Sequence, residues 1–128
     1  MRVGVIGAGQ LARMMLEDAS ALGIDVTVLA ESPDDGAAQT CTDVVIASAT
    51  DEAGLRVLAS RCDVLTLDHE LVDLDLLARL EAEGVVVRPP TTALRYAVWQ
   101  HGAAADKLAA TRANWMVEDL ADELGNAR

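Results

Sequence analysis

The sequence has no phenylalanine, and its aromatic side chains are limited to one tyrosine and two tryptophans. Valine, leucine, isoleucine, alanine and methionine must therefore build any core. Hydrophobic residues make up 52% of the chain, well above the content of a disordered protein. At 128 residues the chain is long enough to bury a core without the help of metals or disulfides. A packed globular protein is expected.

Basic residues are also scarce. Lys107 is the single lysine among ten basic residues, which oppose 21 acidic ones and leave a formal net charge of −11. Such a field repels phosphate backbones and anionic membranes, so binding to nucleic acid or to a membrane is not expected. An anionic small molecule would have to be held by local donors such as backbone N–H groups.

Cysteines are few, and long hydrophobic runs are absent. Cys41 and Cys62 stand alone, without a CxxC spacing or a histidine neighbour, which is typical of small buried residues in a reducing compartment. The residues before the first predicted strand do not have the pattern of a signal peptide, and no apolar run approaches the ~20 residues of a membrane span. We expect a cytoplasmic protein without a metal site.

Apolar runs and helical periodicities alternate along the first 90 residues, which predicts an α/β fold. The predicted strands are Val3–Gly7, Asp25–Ala30, Asp43–Ser48, Cys62–Asp68 and Val85–Pro90, and the predicted helices are Gln10–Leu22, Thr50–Arg61 and Asp73–Gly84. Five strands with intervening helices predict a doubly wound, mainly parallel, Rossmann-like sheet with helices on both faces.

The pattern changes after the last predicted strand. A short helix beginning at Thr91 or Thr92 is expected to stop at the His-Gly pair 101–102, and an alanine-rich helix is expected over Ala103–Gly125. We therefore divide the chain into a Rossmann-like domain, residues 1–97, and a helical tail, residues 98–128.

All three aromatic residues lie in this last part of the chain. Tyr96 and Trp99 are three positions apart and share a helix face, while Trp115 lies on the following helix. Tyrosine and tryptophan are favoured anchors of interfaces. The cluster either packs the tail on the sheet or forms the surface of a homodimer or another partner.

The first strand runs into a glycine-rich turn, Gly7-Ala8-Gly9-Gln10-Leu11-Ala12, which fits the pattern G-x-G-x-x-A. Gly7 permits a tight turn, and Gly9 lets a ligand approach the backbone. The following helix N-terminus offers N–H donors to a phosphate or carboxylate. Glu31 ends the second strand, where dinucleotide enzymes place a ribose-binding carboxylate. A loop that merely packs tightly, with Glu31 as a solvated charge, is the alternative.

Two motifs narrow this choice. The stretch "GAGQLARM" closely resembles the first loop of 5-(carboxyamino)imidazole ribonucleotide synthase, a purine-pathway family of the ATP-grasp superfamily with G-x-G-Q-L-x-R-M there. The stretch "CDVLTLDHELVDLDLLARLEAEGVVVRP" is similar to the family's fourth strand, helix and fifth strand, including its T-F-E-x-E-x-V segment, and "ALRYA" is similar to the helix that follows. Residues 1 to 97 thus resemble the family's N-terminal preATP-grasp domain.

The resemblance implies a site for an aminoimidazole ribonucleotide-like or other small anionic ligand. It would place Glu70 at ribose hydroxyls, because Glu70 matches the second carboxylate of the family's segment. The other residues implied at the substrate are Gly7, Gly9, Gln10 and Leu11, and those implied next to them are Arg13, Asp68 and His69.

The family's chemistry belongs to two later ATP-grasp domains, which bind ATP and magnesium and which residues 1–128 do not contain. The resemblance therefore implies no catalysis and no cofactor for this chain alone; ATP and magnesium would enter only if those domains were supplied. We expect a stand-alone or truncated ligand-binding domain, and the different tail favours a stand-alone protein.

Two other functions stay open. The chain could be a non-enzymatic interaction module, a homodimer or a partner of a separately encoded ATP-grasp protein. It could instead be a small NAD-binding regulator in which Glu31 faces an adenosine ribose.

Overall fold

The computed structural model describes residues 1–111, 113–114 and 116–124. The chain forms two compact units, Met1–Pro89 and Pro90–Arg128. The first unit contains β1 (Arg2–Ile6), α1 (Gln10–Ala21), β2 (Asp25–Ala30), β3 (Asp43–Ile46), α2 (Glu52–Arg61), β4 (Val64–Leu67) and α3 (Leu74–Ala82), and the second contains α4 (Thr91–Thr111) and α5 (Val117–Glu123).

The first unit is built on a parallel sheet with the strand order β3-β2-β1-β4. β1 lies in the interior of the sheet and pairs in parallel with both neighbours, so that Ile6 is opposite Leu29 on one side and Leu67 on the other. Because all pairs are parallel, the carboxyl ends of all four strands lie at one edge. The α/β class and the parallel sheet are thus as predicted.

The prediction of a fifth strand is wrong. In the described part of the chain the sheet has four strands, and the segment from Val85 to Pro90 contributes only a parallel bridge between Val87 and Leu65. Leu65 donates to the Val86 carbonyl and accepts from the N–H of Arg88, both at 2.8 Å. Proline lacks an N–H donor, so Pro89 and Pro90 cannot extend the ladder.

Two apolar clusters lie on opposite faces of the sheet, because successive strand side chains alternate between faces. Val5 and Val28 pack with Ala12 of α1, whereas Ile6 and Leu29 pack with residues of α2 and α3. The fully buried large residues are all aliphatic except Thr27: Ile6, Leu29, Leu55, Leu58, Leu65, Leu76, Leu77, Leu80, Val5, Val28 and Val87. Leucine and valine fill this core without any phenylalanine.

The helices on the sheet begin in different ways. The Asp51 carboxylate accepts N–H groups at the start of α2, and Asp73 does the same for α3. α1 is instead preceded by Gly9, which has no side chain to cap the helix. Gly23, with φ +66°, follows the end of α1 as predicted from its position.

The second unit departs from its predicted helices. α4 runs without a break through the His-Gly pair 101–102, and the alanine-rich segment after it divides between α4 and a separate α5. A glycine inside a helix costs about 1 kcal/mol relative to alanine, which the surrounding helix formers offset. Ala104, Leu108 and Leu120 form the buried cluster of this unit.

Two of the three aromatic residues are described, and both are more than half exposed. The rings of Tyr96 and Trp99 are in contact on α4, with centroids 5.8 Å apart. Their exposed fractions are 58% and 51%. Trp115 lies outside the described residues. Among the described helices none is both long and apolar enough to cross a membrane.

Gly54 and Gly102 offer a matched test of the packing. A Cβ at Gly54 would overlap the Cβ of Ala47, whereas a Cβ at Gly102 would meet no atom within 4 Å. We expect Gly54→Ala to lower the free energy of unfolding by about 1–3 kcal/mol through overpacking. Gly102→Ala is expected to leave it unchanged or raise it by up to about 1 kcal/mol, because alanine favours a helix.

Urea unfolding followed by circular dichroism measures both changes. A Gly54→Ala protein as stable as the wild type would contradict the close approach of α2 to the segment after β3.

Candidate functional site

The glycine loop connects β1 to α1 at the carboxyl edge of the sheet. The Gly7 N–H donates to the Leu29 carbonyl at 3.1 Å, and the Ala8 carbonyl accepts the N–H of Ala37 at 2.9 Å. Gly7 has φ +115°, a backbone conformation that other residues rarely adopt. The loop is therefore anchored on both sides of its turn before α1 begins.

The carboxylate of Asp68 lies against this loop. Asp68 follows β4, and its side chain is only 3% exposed. Its Oδ2 accepts the N–H of Gly9 at 2.9 Å, and a Cβ at Gly7 would overlap its Oδ1. The two glycines thus make room for a carboxylate of the chain itself. The partial positive charge at the N-terminus of α1 favours an anion there.

The second oxygen of Asp68 is buried without a partner. Oδ1 accepts no hydrogen bond from any residue that the structure describes. Nε2 of His69 lies 3.7 Å from this oxygen, which is too long for a hydrogen bond. The Nδ1 of His69 accepts the N–H of Leu71 at 3.1 Å, which assigns the ring proton to Nε2.

The first turn of α1 has further donors. Gln10 and Leu11 are exposed, and their N–H groups donate to no acceptor within the described chain. Arg13, which the sequence places next to the ligand, forms a loose pair with Glu17 at 4.0 Å. Of the four residues predicted at the substrate in this loop, Gly9, Gln10 and Leu11 are exposed, whereas Gly7 is buried.

Glu70 is exposed in the turn after β4, two residues beyond Asp68. Its carbonyl accepts the N–H of Val72 at 2.9 Å, and its carboxylate has no partner among the described residues. It lies at the same edge of the sheet as the glycine loop, because β4 is the parallel neighbour of β1. Its predicted role at ribose hydroxyls stays a prediction.

A cavity of about 240 Å³ opens over the carboxyl ends of the strands. The residues that line it are Gly7, Ala8, Gly9, Leu29, Glu31, Asp35, Gly36, Ala47, Ala49 and His69. Sequence reasoning placed Glu31 at the end of β2 but missed Asp35, whose Oδ2 accepts the N–H groups of Glu31 and Ser32 at 3.0 and 3.1 Å. The turn residues Ser-Pro-Asp-Asp-Gly were the available signal for such a carboxylate.

No cluster of three or more histidine, cysteine, aspartate or glutamate side chains suited to a metal ion occurs within the described ranges. The two cysteines are free and half-buried. Burial raises the pKa of the Cys62 thiol, so this group stays protonated and is a poor nucleophile at neutral pH.

Residues 1–98 match the family described as the ribonucleotide synthetase preATP-grasp domain. Among curated proteins, N5-carboxyaminoimidazole ribonucleotide synthase from Mycobacterium tuberculosis is 52% identical over 95 residues, which cover 74% of this chain. The synthase of the same name from Synechocystis is 40% identical over 92 residues. The resemblance found in the loop and strand motifs is thereby confirmed.

Solved structures of the same synthases are similar in fold. The enzyme from Thermotoga maritima superposes with a TM-score of 0.69 at 33% identity, over 73% of this chain and 26% of the enzyme. The enzyme from Aspergillus clavatus, in complex with ADP and 5-aminoimidazole ribonucleotide, has a TM-score of 0.66 at 38% identity, over 73% of this chain and 25% of the enzyme. The chain spans only 22% of the length of the mycobacterial relative.

The contact between Asp68 and the glycine loop can be tested by a double-mutant cycle. Gly7→Ala introduces both backbone strain and overlap with Asp68 Oδ1, and we expect it to destabilise the first unit by about 3 kcal/mol or more. In an Asp68→Ala background the overlap is absent, so the same change is expected to cost about 1–2 kcal/mol less.

Gly23→Ala is the control, because Gly23 also has a positive φ but has no atom within 4 Å of a Cβ. Its cost reports backbone strain alone and is expected to be the same in both backgrounds. Equal costs of Gly7→Ala with and without Asp68, measured by urea unfolding, would contradict the contact.

Proposed function

Because this chain belongs to the ribonucleotide synthetase preATP-grasp family, we propose that it binds a ribonucleotide resembling 5-aminoimidazole ribonucleotide. The site lies at the carboxyl edge between β1 and β4, and this chain alone does not catalyse a reaction there. The relative from Aspergillus clavatus, which is described in complex with 5-aminoimidazole ribonucleotide, supports this ligand class.

The observation that carries the proposal is the strand order. From β1 the chain passes to β2 and β3 on one side, and it then crosses to β4 on the other side of β1. In open α/β sheets, ligands bind outside the carboxyl ends of the strands at such a reversal. The glycine loop follows β1 and Glu70 follows β4, so both flank this position.

The groups on the two sides of this position complement different parts of a ribonucleotide. The free N–H groups of Gln10 and Leu11, at the positive end of α1, suit an anionic or polar acceptor of the ligand. The carboxylate of Glu70 suits the hydroxyls of a ribose, because an ionised carboxylate only accepts hydrogen bonds. The Gly9 N–H takes no part, since it already donates to Asp68.

ATP-dependent carboxylation requires more than this chain. The relatives named as synthases are more than four times as long as the matched segment. We propose that ATP and magnesium act only where ATP-grasp domains are joined to this domain or supplied by a separate protein. The chain's own part is to bind and orient the ribonucleotide.

A second function, docking of a partner protein or a second copy, is favoured by the aromatic pair on α4. Tyr96 and Trp99 are in contact and more than half exposed, and such residues are common anchors of interfaces. A separately encoded ATP-grasp protein would be a suitable partner.

Calorimetric titration with 5-aminoimidazole ribonucleotide tests the first function. We expect saturable binding that Glu70→Gln weakens about tenfold or more, because it removes a charge-assisted hydrogen bond worth about 1.5–3 kcal/mol. Asp25→Asn is the matched control, since Asp25 is exposed at the amino edge of the sheet and its change also removes one charge.

An absence of binding at millimolar ribonucleotide would contradict the proposal. Equal weakening by Glu70→Gln and Asp25→Asn would also contradict it, because the effect would then come from net charge rather than from this site.

A further inference from the structure

We propose that the 240 Å³ cavity is a second binding site, which takes a neutral or cationic polyhydroxyl compound the size of a nucleoside. It adjoins the position between β1 and β4, with which it shares Gly7, Gly9 and His69, and it extends over the ends of β2 and β3, where Glu31 and Asp35 line it and neither Gln10 nor Glu70 does. The two sites therefore use different carboxylates.

Small side chains shape the cavity. Ala8, Ala47 and Ala49 line it together with three glycines, so that little side-chain volume fills the space above the strands. Pockets for drug-sized ligands measure about 300–1,000 Å³, so a space slightly below this range suits a single sugar or nucleoside. Ala47, the most exposed of the three alanines, gives one part of the wall a small apolar surface on which a base can lie.

The polar groups of the wall are mostly acceptors. The carboxylate of Glu31 has no partner among the described residues, and Asp35 uses Oδ2 for two backbone N–H groups. His69 supplies the one side-chain donor of this lining, through Nε2. A ligand that complements this wall must bring hydrogen-bond donors, and vicinal hydroxyls meet a carboxylate well.

The carboxylate of Asp68 lies behind this wall. Its Oδ1 lies against Gly7 and His69 and has no described donor. It is buried and does not line the cavity, so a ligand does not reach it. Together with Glu31 and Asp35, it favours a neutral or cationic ligand over an anion.

The same groups disfavour a phosphate. In dinucleotide-binding proteins the pyrophosphate lies at the N-terminus of the helix that follows the glycine loop. Here the N–H of Gly9 is taken by Asp68, and Glu31 and Asp35 add negative charge to the cavity. Like charges repel, so these carboxylates disfavour a phosphate in the cavity. A nucleoside is therefore favoured over its nucleotide or over a dinucleotide.

NMR titration of the 128-residue chain with adenosine as the probe tests this proposal, with AMP and NAD in parallel. We expect adenosine to cause saturable chemical-shift changes at the amides of Glu31, Gly36 and His69. AMP and NAD are expected to bind at least about tenfold more weakly than adenosine. Glu31→Gln is expected to weaken adenosine binding about fivefold or more, because a neutral amide accepts hydroxyl hydrogen bonds less strongly.

Two variants serve as controls. Asp25→Asn removes the same charge at the opposite edge of the sheet, and Glu70→Gln affects only the ribonucleotide site, so neither is expected to change adenosine binding. Failure of the ribonucleotide proposal would leave this test unaffected.

Three results would each overturn the proposal. The first is an absence of saturable shifts at about 10 mM adenosine, where even weak sites fill. The second is AMP binding as tight as that of adenosine. The third is adenosine binding that Glu31→Gln does not weaken.

Discussion

The hydrogen bond from the Gly9 N–H to the buried carboxylate of Asp68 organises the functional edge of this domain. It joins the loop after β1 to the end of β4, 59 residues away in sequence, and it holds the residue before α1 while the N–H groups of the first turn of α1 stay free. Gly7 is required for the same reason, since any side chain there would overlap Asp68. The glycine pattern of the loop therefore accommodates a carboxylate of the chain itself.

This constraint separates two regions of the edge. Between β1 and β4 lie the exposed N–H groups of Gln10 and Leu11 and the carboxylate of Glu70, the groups of the proposed ribonucleotide site. Over β2 and β3, the cavity with Glu31 is surrounded by acceptors and suits a ligand with donors and no phosphate. Occupation of one N–H by Asp68 thus changes which ligands the remaining groups can bind.

Most of the fold could be predicted from the sequence, because local patterns specify it. β2 was predicted with the bounds that it has, since a run of buried residues between turn signals is a strong local pattern. The fifth strand and the break at Gly102 were wrong because both depend on context. Pro89 and Pro90 limit the pairing to a bridge, and the surrounding residues of α4 carry the helix through the glycine.

The site was less predictable than the fold. The glycine loop and Asp68 were identified from their motifs, but the motif does not tell which acceptor the Gly9 N–H takes. That depends on a contact between distant segments, which a pattern of neighbouring residues does not specify. Hydrogen exchange of the Gly9 amide tests it most directly, because this N–H donates to the Asp68 carboxylate, whereas the N–H groups of Gln10 and Leu11 have no described acceptor. We expect exchange about tenfold or more slower than at Gln10 and Leu11, after correction for intrinsic rates; equal rates at the three amides would contradict the account.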